Sequence, residues 1–162
     1  MKPHDRSIYQ AIVAAPTFAL GVACDEMWIT GIDFLPAGSE KRPENPLASE
    51  AVRQLRAYLS DPRFVFGLPL KPQGTAFQRR VWEQIVMIES GQTRTYGELA
   101  RALNNAPRAV GQACGANPHV LAVPCHRVVA ANKNFNDGLG GFNRENGGAA
   151  LEIKRWLLAH EL

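Results

Sequence analysis

The chain has 162 residues, of which 46% are hydrophobic and 20% charged, with a formal net charge of +3. That is enough apolar material for a buried core and too little charge for general disorder, and the length fits one large domain or two small ones. The three cysteines, Cys24, Cys114 and Cys125, are too few and too odd in number for a disulfide framework, and none has zinc-ligand spacing.

Lys2 and Arg6 precede an apolar stretch, Ala11 to Cys24, with the outline of a secretory or lipoprotein signal. Pro16 and Thr17 interrupt it, and the segment reads better as strands: Ile8–Ala14, Phe18–Cys24 and Met27–Phe34, with a turn at Asp25-Glu26. No run is long enough to span a membrane, and a cytoplasmic protein is expected. Residues 35–46 read as a loop. A helix is predicted from Ser49, with Val52, Leu55 and Leu59 on one face, ended by Asp61-Pro62. Phe64–Leu70 reads as a further strand or an extended connection. Residues 1–70 thus form a small α/β domain.

Residues 71–162 read as a second, mostly helical domain. Thr75 and Gln78 make a capping-box pattern ahead of Phe77, Val81, Ile85 and Ile88, and Gly91 ends that helix. Thr95 and Glu98 make a second, before Leu99, Ala100 and Leu103. Asn104-Asn105 form a short turn. Pro107 opens the next helix, Val110, Ala113 and Cys114 give it an apolar face, and Gly115 can end it. Two short helices so joined are a helix-turn-helix candidate or an ordinary helical hairpin. The exposed side of the second carries Arg108, Ala109, Gly111 and Gln112, which suits close, shape-based contact better than base reading. A last helix runs from Ala149 to Ala159. Trp82 and Trp156 read as core, and Cys114 as a buried structural thiol. The excess of Lys and Arg falls in residues 71–130, as a phosphate-binding surface or a plain solvated face would have it.

The densest chemical signal is Leu121 to Val129, an apolar run that meets Pro124-Cys125-His126-Arg127. A cysteine becomes nucleophilic when positive charge or a base stabilises its thiolate, and His126 and Arg127 could supply both. Adjacent residues rarely face each other in a strand, so His126 would work through a bridging water or an altered backbone. A buried structural cysteine beside a surface histidine has the same local pattern.

Pro124-Cys125-His126-Arg127-Val128 resembles the active-site signature of the O6-alkylguanine-DNA alkyltransferases. Gly74-Thr75-Ala76-Phe77-Gln78 with Val81-Trp82, Gly91 through Ala100, Arg108 through Pro118, and Lys154 through Glu161 resemble further segments of that family, in family order, over about residues 72–162. Residues 1–70 are compatible with the family's variable N-terminal domain. The resemblance implies a protein that flips an alkylated base out of double-stranded DNA and takes the alkyl group irreversibly onto Cys125, without cofactor or metal, as a monomer. O6-alkylguanine is the implied lesion, with O4-alkylthymine as a second.

The same resemblance assigns roles. His126 is a base acting through water, oriented by Glu161. Tyr96 donates to the guanine ring and crowds its phosphate, and Asn117 orders the backbone around Cys125. Arg108 takes the place of the extruded base, Ala109 and Gly111 permit close approach, and Thr95 helps hold a phosphate. The carbonyls of Cys125 and Val128 recognise guanine's exocyclic amine. Gly138 to Lys154 forms one wall of the alkyl pocket. Phe142 stands there where a tyrosine is common, and Ile88-Glu89-Ser90 lacks a common proline. A non-enzymatic lesion-binding protein, a helix-turn-helix regulator and a thiol protease are the competing readings. The first lacks the reactive cysteine, the second needs long polar side chains on its recognition helix, and the third needs a separate histidine and an oxyanion hole.

Overall fold

The computed structural model describes residues 5–131 and 148–162. The chain packs as two units. One runs to Pro72 and takes in Pro118–Ala122; the other comprises Gln73–Asn117 and Val123–Leu162. The small α/β part and the mostly helical part with a helix-turn-helix are both present, as expected.

The first unit is built on a three-stranded antiparallel sheet in the order β1 (Ala11–Ala14), β2 (Phe18–Cys24), β3 (Ile29–Pro36). The first strand starts later than its apolar run because Arg6–Ile8 form a single 3-10 turn, capped by Asp5. β2 is buried along almost its whole length, which explains its unbroken apolar sequence. A Cβ on Gly21 would lie 2.7 Å from the Tyr9 ring, so Tyr9 packs directly on the backbone there. The Asp25 carboxylate closes the hairpin by accepting from the amides of Met27 and Trp28.

Helix α1 (Pro46–Ser60) packs against β1 and β2. It begins earlier than Ser49, because Asn45 accepts from the Ala48 amide at 2.8 Å as N-cap and Pro46 suits the first helical position. Tyr58 is buried and Leu59 only half-buried. Residues 64–70 are extended, with a single bridge from Leu70 to Ile29. The segment 118–122 bridges to Ile32: the Ile32 amide donates to the Pro118 carbonyl (2.9 Å) and the Val120 amide to the Ile32 carbonyl (3.2 Å).

The second unit contains α2 (Ala76–Val86), α3 (Tyr96–Ala102), α4 (Pro107–Gly115) and α5 (Gly148–His160). A short parallel pair joins β4 (Arg94–Thr95) to β5 (Val128–Val129). The Thr75–Gln78 capping box is complete. α2 stops at Val86, and Gly91 instead serves a left-handed turn (φ 83°) in the loop that follows. Asn104 takes the left-handed position between α3 and α4 (φ 52°). The Trp82 indole donates to the Ala113 carbonyl at 2.9 Å and ties α2 to α4. Trp156 is half-buried and stacks on His160 at 4.8 Å, so it is not the core residue its sequence position suggests. Among the described residues no helix is long and apolar enough to cross a membrane.

Candidate active site

Cys125, His126 and Arg127 form one 3-10 turn, with all three side chains buried. Consecutive residues of a 3-10 helix diverge by about 120°, so the three side chains reach three different neighbourhoods. This is the altered backbone that the adjacency of Cys125 and His126 calls for.

The Asn117 amide nitrogen donates to the Cys125 sulfur at 3.3 Å and to the Val123 carbonyl at 2.8 Å, which fixes the segment entering the turn. Asn117 follows α4, whose Cys114 thiol hydrogen-bonds the Cys125 thiol. That bond, burial and the charge of Cys114 all raise the thiol's proton affinity; Asn117 and the Lys154 ammonium act in the opposite direction. Cys114 is half-buried beside the nucleophile candidate, rather than a remote structural thiol.

His126 points at the C-terminal helix. Its Nε2 lies 2.8 Å from Glu161 Oε2. Arg127 grips the same carboxylate with two donors, Nε to Oε1 at 2.9 Å and Nη2 to Oε2 at 2.8 Å, while its Nη1 donates to the Ile88 carbonyl at 2.6 Å. Paired with Arg127, Glu161 is a carboxylate acceptor, so His126 Nε2 carries the hydrogen and Nδ1 keeps its lone pair. Burial lowers the imidazole's proton affinity, with Glu161 opposing, so His126 is neutral near pH 7. Nδ1 is buried and has no hydrogen-bond partner among the described residues. Glu161, next to the last residue of the chain, is 6% exposed and anchored, not frayed. Arg127, a sequence candidate for the charge beside the thiolate, spends its guanidinium on Glu161 and Ile88 instead.

The β4–β5 pair sets Arg94 opposite Val128 and Thr95 opposite Val129, so α3 starts beside the strand that follows Cys125. Tyr96, its first residue, is half-buried. Burial, then the charges of Cys114 and Cys125, push its phenol well above the usual range. Its ring lies 5.7 Å from Lys154 Nζ, and a Cβ on Gly111 would come within 4.0 Å of it. Lys154 is fully buried on α5 and donates to the Val128 carbonyl at 2.7 Å.

On the outer face of this unit, Arg108 is exposed in the first turn of α4, with Ala109 and Gly111 half-buried. Thr95 caps α3 by accepting from the Glu98 amide at 3.0 Å, while the Glu98 carboxylate lies 3.7 Å from Arg94. Phe142 and most of the predicted pocket wall fall outside the described residues.

The structure therefore brings Cys125, Asn117 and Cys114 together, joins His126 to Glu161, and sets Tyr96 near Lys154. Sequence reasoning missed the Arg127–Glu161 clamp and Lys154. The signal for the second was present: Lys154 occupies an apolar helical stripe with Ala150, Ile153 and Leu157.

Residues 8–72 match the family described as 6-O-methylguanine DNA methyltransferase, ribonuclease-like domain, and residues 76–162 its DNA binding domain. A methylated-DNA–protein-cysteine methyltransferase of Methanosarcina mazei is 36% identical, over 95% of this chain and 97% of its own. One of Haemophilus influenzae is 35% identical, over 96% and 87%. The crystal structure of Mycobacterium tuberculosis OGT in complex with DNA is similar with a TM-score of 0.75 at 35% identity, covering 93% of this chain and 90% of that one.

Proposed function

The chain belongs to the 6-O-methylguanine-DNA methyltransferase family, and on that premise we propose that it repairs O6-alkylguanine in DNA by transferring the alkyl group to Cys125. O4-alkylthymine is a second candidate lesion. The observation that carries the assignment is local: a buried cysteine held by Asn117, next in the chain to a histidine whose one nitrogen is bound to Glu161 while the other keeps its lone pair.

In this reading His126 Nδ1 takes the Cys125 proton through a bridging water, and the His126–Glu161 bond steadies the imidazolium that results. The sulfur attacks the alkyl carbon in line with the departing guanine oxygen. Tyr96 donates a hydrogen bond to the guanine ring as charge develops there; a phenol with so high a proton affinity stays protonated and so stays a donor. The carbonyls of Cys125 and Val128 accept from the exocyclic amine. The thioether formed has no easy leaving group, so each molecule acts once.

DNA is the partner. Arg108 on α4 fills the gap left by the flipped base, and the small residues Ala109 and Gly111 let the backbone approach the groove. Thr95 and the amides at the start of α3 hold a phosphate. The reading takes the protein to act as a monomer, and the free thiols suit a cytoplasmic setting.

Intact-mass measurement after incubation with duplex DNA carrying O6-methylguanine tests the proposal. One methyl group is expected, on Cys125 and not on Cys24 or Cys114. Cys125→Ser should keep DNA binding and lose transfer. Repeated turnover by one molecule, or a methyl group on another residue, would overturn it.

A further inference from the structure

Two cations are buried around the turn of Cys125, and they are used differently. Arg127 faces a full carboxylate, and the charges match. Lys154, whose side chain is wholly buried, faces groups that are neutral until they lose a proton: the thiols of Cys125 and Cys114 and the phenol of Tyr96. A buried ammonium is expensive, and an apolar residue of similar length would suit the stripe of α5 better. Burial lowers its pKa to about 8, with the two thiols opposing. Near pH 7 it is therefore still charged. Its hydrogen bond to the Val128 carbonyl holds the ammonium three residues along the chain from the nucleophile.

We propose that Lys154 is a positioning residue for Cys125: its ammonium, held between the Val128 carbonyl and the Tyr96 ring, is the counter-charge that lets the sulfur give up its proton. The inference rests on the alkyl-transfer reading above. The thiol proton goes to His126. The sulfur lone pair then forms the S–C bond, the C–O6 bond breaks with its electron pair going to guanine, and guanine takes up one proton from water while His126 returns its own to solvent, so that the thiol's hydrogen ends on guanine in the balance. At each stage before that protonation one negative charge sits in the pocket, first on sulfur and then on the purine. Lys154 opposes it throughout and is not itself consumed. The other titratable groups around the pair are Cys114 on α4, Tyr96 on α3, His126 and Arg127 in the turn, and Glu161 after α5.

The test reads the ionisation of Cys125 without DNA. Wild type, Lys154→Met and Lys154→Gln are treated with iodoacetamide across pH, and modification is followed at Cys125 by peptide mass spectrometry. Gln keeps an N–H donor for the Val128 carbonyl and drops the charge, so it separates electrostatics from packing and serves if Met fails to fold. Circular dichroism checks the fold of both. The midpoint for Cys125 should rise by about one pH unit or more in the variants, a loss of about tenfold in thiolate at neutral pH. Single-turnover methyl transfer should fall by a similar factor, with duplex affinity unchanged. An unmoved or lowered midpoint in a folded variant overturns the assignment. A raised midpoint in variants of a protein whose wild type transfers no methyl group would instead overturn the repair reading and leave Lys154 as the counter-charge of Cys125.

Discussion

In the sheet unit, the buried polar side chains are neutral and close the backbone. Gln54 exchanges two hydrogen bonds with Gly67, at 3.1 and 2.8 Å, and His119 donates to the Ile29 carbonyl at 2.9 Å. In the helical unit, the buried polar residues among those described are His126, Arg127, Lys154 and Glu161, and they include two cations and a carboxylate. A paired neutral hydrogen bond contributes about 1 kcal/mol, whereas each buried ion loses several kcal/mol of hydration that its partner only partly restores. The contrast teaches where the fold carries the cost of buried charge, and it coincides with the site proposed for alkyl transfer. The sheet unit keeps its polar groups for shape; the helical unit keeps charges that a stability-optimised core would replace.

The largest expected effect breaks the clamp. Arg127→Leu leaves the Glu161 carboxylate buried without its main partner and should lower unfolding free energy by about 3–5 kcal/mol, read from urea melts. A loss below about 1 kcal/mol would erase the contrast between the units. Gly21→Ala tests the other side, where shape alone is at stake. Its Cβ would sit 2.7 Å from the Tyr9 ring, and the overpacking should cost about 1–3 kcal/mol with alkyl transfer intact in the folded fraction.

The pH response sharpens the comparison further. Because burial lowers the pKa of His126 below 6.5, the unfolded chain binds its proton first as pH falls. The stability contribution is thus complete above pH 6.5 and is lost below it, down to the folded pKa. His126→Gln should flatten that part of the stability curve. The transfer rate of the wild type should stay level through pH 6.5 and fall only at more acid pH. The smallest effect on stability is expected at Arg108, which is exposed: Arg108→Ala should change it by less than about 0.5 kcal/mol. It should still slow repair in duplex DNA far more than reaction with free O6-benzylguanine, since only the duplex requires flipping. Equal slowing would place Arg108 in the chemistry or the fold.

What was legible in the sequence was local. Thr75 and Gln78 announce α2 because both halves of a capping box lie within one turn. α1 begins ahead of its apolar spacing because the Asn45-Pro46 pair caps it, a signal that periodicity does not carry. At the site, Cys125, His126, Asn117 and Glu161 came from motifs in family order, and periodicity alone would not have joined them. His126 and Glu161 meet across 35 positions of sequence, a pairing that only the tertiary fold creates. Arg127 misled for a steric reason. Next-but-one to Cys125 in the chain, it seems available to the thiol, but the tight turn rotates it toward Glu161. Lys154 is legible only in part: its place in the apolar stripe of α5 is a sequence signal, but a lysine on a helix is usually solvated, and the fold is what shows this one buried.

The strand-edge pairing of β3 also bears on the order in which a ribosome delivers the chain. The outer rim of β3 is closed by residues 69–71 at Ile29 and by residues 118–120 at Ile32. The first of these arrives early; the second is made after three helices of the other unit. A nascent chain that has emerged only as far as α4 therefore presents the amide and carbonyl of Ile32 unpaired, on a strand rich in Ile, Phe and Leu, which is the kind of rim that captures neighbouring chains. Completion of the sheet and delivery of Cys125 fall within a few residues of each other, so the interval of exposed edge ends just as the proposed nucleophile is made.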